Sequence, residues 1–368
     1  MKLGIDVSTY LEELSNGAKY YKEGKLIDPL DEFIKNGVNS MRIRLWNNPY
    51  SLDGKSYLGG TCDLKNFLDL AKLASSKGFG IYLDFHYSDF WADPGKQFKP
   101  KSWKDLSLDE LVEEVRNYTL NTLIVIKDSG IDLEMIQVGN EITNGMLWPE
   151  GRLIEHGDDE RTNYESLAKL LKAGLDACKE IFPNALRMLH LERSYDLKVY
   201  DEFFSKMEEN GVSFEVIGAS YYPYWHGSVS ELMANLNYQK NKYHKIVMVA
   251  ELGYAFTLED YILNNNGNND LVVNNTNLDS FSFTKKYPFT IDGQAAFIKD
   301  FLATCRKNNV DGIYYWEPLW IPGDNICWAS REGEEYIGEE DKATRNEWCN
   351  QCLFDYKGNM NKGFNEFK

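Results

Sequence analysis

Ser76-Lys77-Gly78-Phe79-Gly80-Ile81-Tyr82-Leu83-Asp84-Phe85-His86 carries the pattern on which the fold turns. A polar helix end closes on a glycine, and a short apolar run follows at once. Glycine and asparagine tolerate the left-handed backbone that terminates a helix, so the junction reads as helix, stop, strand. The same junction recurs along the chain. Lys35-Asn36-Gly37 precedes Ser40–Leu45, and Asp128-Ser129-Gly130 precedes Leu133–Val138. Glu209-Asn210-Gly211 precedes Val216–Ser220, and Lys307-Asn308-Asn309 precedes Gly312–Trp316. Three further runs, Lys2–Val7, Arg187–Leu191 and Lys245–Ala250, bring the expected strands to eight. Helical segments lie between them. Leu64, Phe67, Leu68, Ala71 and Ala74 form one buried face, and Ser107-Leu108-Asp109-Glu110 reads as a capping box. Helices are also expected over Thr162–Phe182 and Gly293–Asn309.

Strands joined by helices run parallel, because each crossover returns the chain to the same end of the sheet. Eight of them predict a closed (β/α)8 barrel, an α/β fold, as a single domain over residues 1–368. The rival, a doubly wound open sheet, would show a Gly-rich phosphate turn after its first strand, where this chain has Asp6-Val7-Ser8-Thr9. The Asn-rich run 264–277 reads as a long loop after strand seven.

A net charge of −17, from 57 acids against 40 bases, argues against nucleic acid or an anionic membrane as partner. It suits a neutral substrate. No run of 18 apolar residues exists to span a membrane. Six cysteines in 368 residues are too sparse for a disulfide scaffold. Cys349-x-x-Cys352 is half a zinc site without a second half, and Cys327 with Cys349 could bridge in a secreted protein. The chain starts directly at a strand. Secretion or cell-surface display with the leader removed is expected, an intracellular place is left open, and a monomer is expected. The metal content is unknown from sequence.

Barrel enzymes carry their sites at the C-terminal strand ends. Those ends hold Arg44-Leu45-Trp46-Asn47, then Asp84-Phe85-His86-Tyr87-Ser88-Asp89, Gly139-Asn140-Glu141, Ser220-Tyr221-Tyr222, Glu251, and Trp316-Glu317. All nine tryptophans fall at or beyond a strand end, which suggests a wide aromatic cleft for sugar rings. Trp91 and Trp316 are expected nearest the cleaved bond. Trp46, Trp225 and Trp320 are expected to contact substrate, while Trp348 reads as either cleft or packing. Glu141 and Glu251, from opposed strands four and seven, form the carboxylate pair that glycoside hydrolysis needs. Asn140 can bind a sugar hydroxyl. Arg44 is expected to hold a carboxylate ionised, with Arg42 one layer deeper. His86 and Asp89 are expected at the substrate. Either Tyr221 or Tyr222 can hydrogen-bond the nucleophile. Asp6 and Glu317 suit a buried hydrogen-bonding role as well as sugar contact. No serine-hydrolase elbow, phosphate loop or His-Glu-x-x-His is present.

Several long runs resemble one family. They are Arg42-Ile43-Arg44-Leu45-Trp46-Asn47-Asn48-Pro49, Leu83–Gly95, Gln137–Pro149, Ile217–Trp225 and Tyr315–Pro322. From Gly4 to Asp355 the chain resembles the arabinogalactan endo-β-1,4-galactanases, glycoside hydrolase family 53. The resemblance implies retaining, endo-acting cleavage of the neutral plant cell-wall polysaccharide type I (arabino)galactan. It also implies Glu141 as acid/base, Glu251 as nucleophile, and no cofactor for catalysis. Mannan or cellulose as substrate, or a sugar-binding barrel without catalysis, are the alternatives. Three departures stand out. Leu252-Gly253 follows Glu251 in place of a polar residue, and His190-Leu191-Glu192 stands for His-Leu-Asp. Thr257–Ile262 lacks the glycines of the calcium loop found in bacterial members, which leaves a structural Ca2+ open.

Overall fold

In the computed structural model, which describes residues 1–157, 159–262, 269–274, 286–338 and 345–368, eight parallel strands close into a barrel. They are β1 (Lys2–Asp6), β2 (Ser40–Leu45), β3 (Gly80–Phe85), β4 (Leu133–Val138), β5 (Leu186–Leu191), β6 (Val216–Tyr221), β7 (Ile246–Leu252) and β8 (Gly312–Trp316). Each pairs with its sequence neighbours, and β1 closes the ring on β8 through Lys2–Gly312 to Asp6–Trp316. Strands two, three, four and eight lie where the junctions place them. The first ends one residue early, at Asp6, while the sixth and seventh run on to Tyr221 and Leu252. Most of the Asn-rich run lies outside the described residues.

Helices α1 (Pro29–Lys35), α2 (Leu64–Lys77), α3 (Leu108–Asp128), α4 (Tyr164–Ile181), α5 (Leu197–Glu209), α6 (Val229–Tyr243) and α7 (Ile291–Lys307) connect the strands. Their starts follow local capping chemistry. The Ser107–Glu110 capping box forms, a second one forms at Ser228 and Glu231, and Asp63 caps α2 through Asn66 N–H. Gly78 ends α2 in the left-handed region, φ 93°, as the opening junction requires.

Besides an aromatic cluster around Trp46, Trp91 and Trp320, two layers of core result. The large one lies between strands and helices. The small one plugs the barrel and consists of Tyr82, Met135, Met188, Val216, Met248, Ala250 and Tyr314. A barrel of eight strands has just enough interior for such side chains, so large residues must face small ones. Tyr314 fills the space that Gly4 leaves, and a Cβ on Gly4 would meet the tyrosine ring at 2.1 Å.

One irregularity sits at the functional end. Ala219 pairs with Val249 but Ser220 with Glu251, so β7 carries an extra residue at this point. The same slip appears against β8, between Val249 and Leu252. A bulge bends a strand and re-aims its side chains. Here it turns Glu251 into the barrel mouth. The six cysteines are buried and none is in a disulfide, so the Cys327–Cys349 bridge weighed from sequence does not form. No helix among the described residues is long and apolar enough to cross a membrane.

Gly4→Ala should reduce the unfolding free energy by about 1–3 kcal/mol, the cost of overpacking a filled interior. Chemical denaturation checks this, and an unchanged midpoint would show that Tyr314 can yield.

Candidate active site

Four strands send polar side chains upward from the apolar plug, and Arg42 binds them together. Its guanidinium pairs with Asp6 at 2.9 Å, Asp84 at 2.8 Å and Glu251 at 2.9 Å. It also donates to Asn140 Oδ1 at 2.8 Å. Arg44, two residues on, meets Glu317 at 2.6 Å and Asp6 at 3.5 Å. Arg42, and not Arg44 as expected, is the arginine that holds a catalytic carboxylate. Parity put both side chains inside, but the long Arg42 side chain reaches past its own layer. Arg44 instead underlies the aromatic floor, 4.4 Å from the Trp91 ring and 5.5 Å from Trp316. Asp6 and Glu317 are fully buried in these pairs, and Glu317 also accepts from Thr9.

Above this layer stand the two glutamates. Glu251 Oε1 faces Arg42, and Glu251 Oε2 accepts from Tyr222 O–H at 2.9 Å. Tyr222 is therefore the tyrosine that parity left undecided. Tyr221 points outward, stacks on Phe301 at 5.3 Å and donates to Gly227 O. Glu141 follows Gly139 and Asn140 in a left-handed conformation, φ 49° and ψ 51°, which costs a non-glycine residue on the order of 1 kcal/mol. Its surroundings over-determine that geometry. Ser220 Oγ donates to Glu141 Oε1 at 2.6 Å, Gln97 Nε2 donates to Asn140 O at 2.8 Å, and Arg161 Nη1 donates to Thr143 O. One ligand-type atom from each of Glu141, Glu251 and His190 lies within 4.8 Å of the others. Both nitrogens of His190 already serve Asn140, Gln137 and Ser220, so this cluster reads as a carboxylate pair with a buried orienting histidine rather than a metal site.

The two carboxyls differ electrically. Burial pushes Glu141 well above the ordinary range, Glu251 and Glu192 add to the rise, and only the Ser220 hydroxyl opposes them. Burial also raises Glu251, but Arg42 and the Tyr222 hydroxyl favour its ionised form. A proton shared by the pair therefore rests on Glu141. Burial lifts Glu192 to about 7, and it drops His190 well below the usual imidazole range, so His190 is neutral.

The cleft encloses about 330 Å³. It is lined by Arg44, His86, Trp91, Asn140, Tyr222, Trp225 and Trp316 among the residues foreseen. Trp225 is its exposed edge, 44% accessible. His86 lines the cleft, yet its polar atoms are spent within the protein. Nδ1 accepts from Trp46 and from Ala92 N–H, which leaves the proton on Nε2 to bond Asp84. Asn140 also holds Ala92 O with one of its two amide N–H groups.

Other expectations need correction. Trp46 and Trp320 are fully buried behind Trp91 and Trp316, which they support edge-on or tilted at 4.9 to 6.2 Å. Asp89 does not line the cleft; it ties Asn48 N–H and Lys101 together beneath it. Trp103 packs in the main core against Tyr118, and Trp148 stacks on Arg152 at 4.3 Å. Trp348, left between cleft and packing by the sequence, lines the cleft, as do Glu192 and, with no role foreseen for them individually, Trp328, His226 and Asp93. Trp328 and Trp348 lie in the long segment after β8, where no periodicity assigns a side chain to a face.

The model for "Glycosyl hydrolase family 53" matches residues 2–367. The chain belongs to glycosyl hydrolase family 53. It is 37% identical to "Uncharacterized protein in bgaB 5'region" of Niallia circulans, over 100% of this chain and 93% of that one. It is 32% identical to the endo-β-1,4-galactanase of Bacillus subtilis, over 96% and 82% respectively. The solved Ignisphaera aggregans GH53 catalytic domain superposes with a TM-score of 0.86 at 38% identity, over 99% of this chain and 94% of that one. As in other family 53 glycosidases, the chemistry requires no cofactor.

Tyr222→Phe removes a donor that favours ionised Glu251, so the acid limb of the kcat/KM profile should move to higher pH. Ser220→Ala removes the donor that favours ionised Glu141, so the alkaline limb should also move to higher pH. Stationary limbs in either variant would break the link between these bonds and the titrations.

Proposed function

We propose that this chain is an endo-acting, retaining β-1,4-galactanase acting on (arabino)galactan, with Glu251 as nucleophile and Glu141 as acid/base. The observation that carries the mechanism is the pair itself. One oxygen of each carboxylate lies within 4.8 Å of one oxygen of the other, which suits the roughly 5–5.5 Å of retaining pairs rather than the roughly 6.5–9.5 Å that admits a water in inverting ones. The galactan substrate rests on the similarity to the Bacillus subtilis enzyme across nearly the whole chain.

In the first step a Glu251 oxygen bonds the anomeric carbon while the glycosidic C–O bond breaks. Glu141 gives its proton to the departing oxygen, and a galactosyl ester on Glu251 remains. Arg42 and Tyr222 keep Glu251 anionic before attack. In the second step the Glu141 carboxylate takes a proton from water, the oxygen of that water bonds the anomeric carbon, and the ester bond to Glu251 breaks. The free second N–H of Asn140 can bond a sugar hydroxyl beside this carbon. The substrate is neutral and the buried arginines are already paired, so affinity comes from the tryptophan walls and directed hydrogen bonds.

Incubation with linear β-1,4-galactan should release short galacto-oligosaccharides whose first-formed ends are β by proton NMR. Glu141→Ala should keep forming the ester from substrates with good leaving groups, and azide should rescue its second step to a β-galactosyl azide. Glu251→Ala should give no β-azide. Reversed behaviour would invert the two roles, and turnover only on mannan or cellulose would replace the substrate.

A further inference from the structure

Two of the cleft tryptophans, Trp328 and Trp348, come from the irregular segment after β8. What fixes them is a short strut, Arg345-Asn346-Glu347. Trp328 N–H donates to Arg345 O at 2.9 Å. Asn346 Nδ2 donates to Trp320 O at 2.7 Å, and Asn346 Oδ1 accepts from Trp348 N–H at 3.0 Å. Trp328 in turn stacks flat on Trp91, 4.2 Å between rings at 8°, and receives the Trp91 indole N–H on its carbonyl. Three indoles that form or support the cleft wall thus hang from two consecutive residues.

The other side of the strut is fastened to the segment after β7. Val272 N–H donates to Glu347 O at 3.0 Å, and Asn346 N–H donates to Tyr261 Oη at 3.3 Å. The Arg345 side chain adds a buried tie, 6% exposed. Nη2 bonds Asp260 Oδ1 and, at 2.7 Å, Ile262 O, while Nη1 pairs with Asp270 at 3.3 Å. The guanidinium lies 5.0 Å from the Tyr261 ring. Asp260 also accepts from Asp270 N–H, so the two acids and the cation form one closed knot.

We infer that Arg345 is a positioning residue for substrate, whose guanidinium, held between Asp260 and Asp270, fixes the strut that presents Trp328 and Trp348 to the sugar chain. Stacked indoles bind a sugar well only if their planes are already set, and the strut has no helix or sheet of its own to set them. A planar fork with several donors can meet a carboxylate and a carbonyl together, which a lysine ammonium does less well. The same guanidinium supplies the positive charge that Asp260 and Asp270 require, so these acids do not fit a divalent cation in this chain.

The inference rests on the galactanase reading for its kinetic arm only, and wild-type turnover on galactan tests that reading separately. In Arg345→Met, KM for galactan should rise about three- to tenfold, the range expected for loosened aromatic contacts. Its kcat should stay within about threefold of wild type, and its pH profile should not move, because Arg345 touches neither glutamate. The far-ultraviolet exciton couplet of the stacked Trp91–Trp328 pair should shrink. Arg345→Lys should fall between Met and wild type. Should Arg345→Met fail to fold, Asp270→Asn removes only the outer partner and should show the same KM rise at smaller amplitude. The wild-type melting temperature should be unchanged by EDTA or CaCl2. Three results would overturn the inference: unchanged KM with an intact couplet, equal losses in kcat and kcat/KM, or a melting temperature lowered by EDTA.

Discussion

The guanidinium of Arg42 is the constraint on which the rest of the site depends. It is buried, and three carboxylates from three strands, Asp6, Asp84 and Glu251, close on it within 2.9 Å. Burial alone would push Asp84 up, yet Arg42 and His86 hold it below the ordinary range. Taking any such ion out of water costs several kcal/mol, and only mutual pairing offsets it. Without Arg42, three negative charges would face one another above an apolar plug. The pairing therefore does two jobs with one group. It makes the polar layer compatible with a closed barrel, and it leaves one Glu251 oxygen beside a permanent cation.

Electrical asymmetry between two chemically identical side chains follows from that arrangement. Glu251 has a cation and a phenol. Glu141 has a serine hydroxyl and three acidic neighbours, Glu251, Glu192 and Asp93. Both are glutamates at strand ends, and environment alone separates the one that keeps its proton from the one that loses it. Local backbone strain at Glu141 is part of the same design. The left-handed turn lifts its carboxyl over the barrel mouth, and Ser220, Gln97 and Arg161 supply the bonds that hold it there.

The aromatic wall is built in tiers. Trp46 and Trp320 never meet solvent; they set the planes of Trp91 and Trp316, whose edges they contact. Arg44 lies beneath, against three of these rings, and joins the aromatic tier to the ionic one below. Trp328 and Trp348 complete the wall from the far end of the chain. Rigid indoles lose little freedom on binding, which is why a neutral chain can be held without any charge to grip.

Much of this was legible in the sequence because it is written at short range. A glycine after a helical face and a serine three residues before a glutamate act on their immediate neighbours, so the eight strands, the Ser107 box and the strand-end places of Glu141 and Glu251 follow from spacing. Tertiary structure alone decided the rest. The bulge in β7 appears only when Val249–Leu252 is set against both neighbouring strands. Tyr222 rather than Tyr221, two candidates that the sequence left open, meets Glu251 because β6 runs through Tyr221, which turns outward to Gly227 O. Arg42 reaches Glu251, 209 positions away in the chain, because a long side chain crosses layers that parity keeps apart. Which tryptophans face sugar and which face each other depends on loops meeting across the mouth of the barrel, and no periodicity within one segment encodes the distance to another.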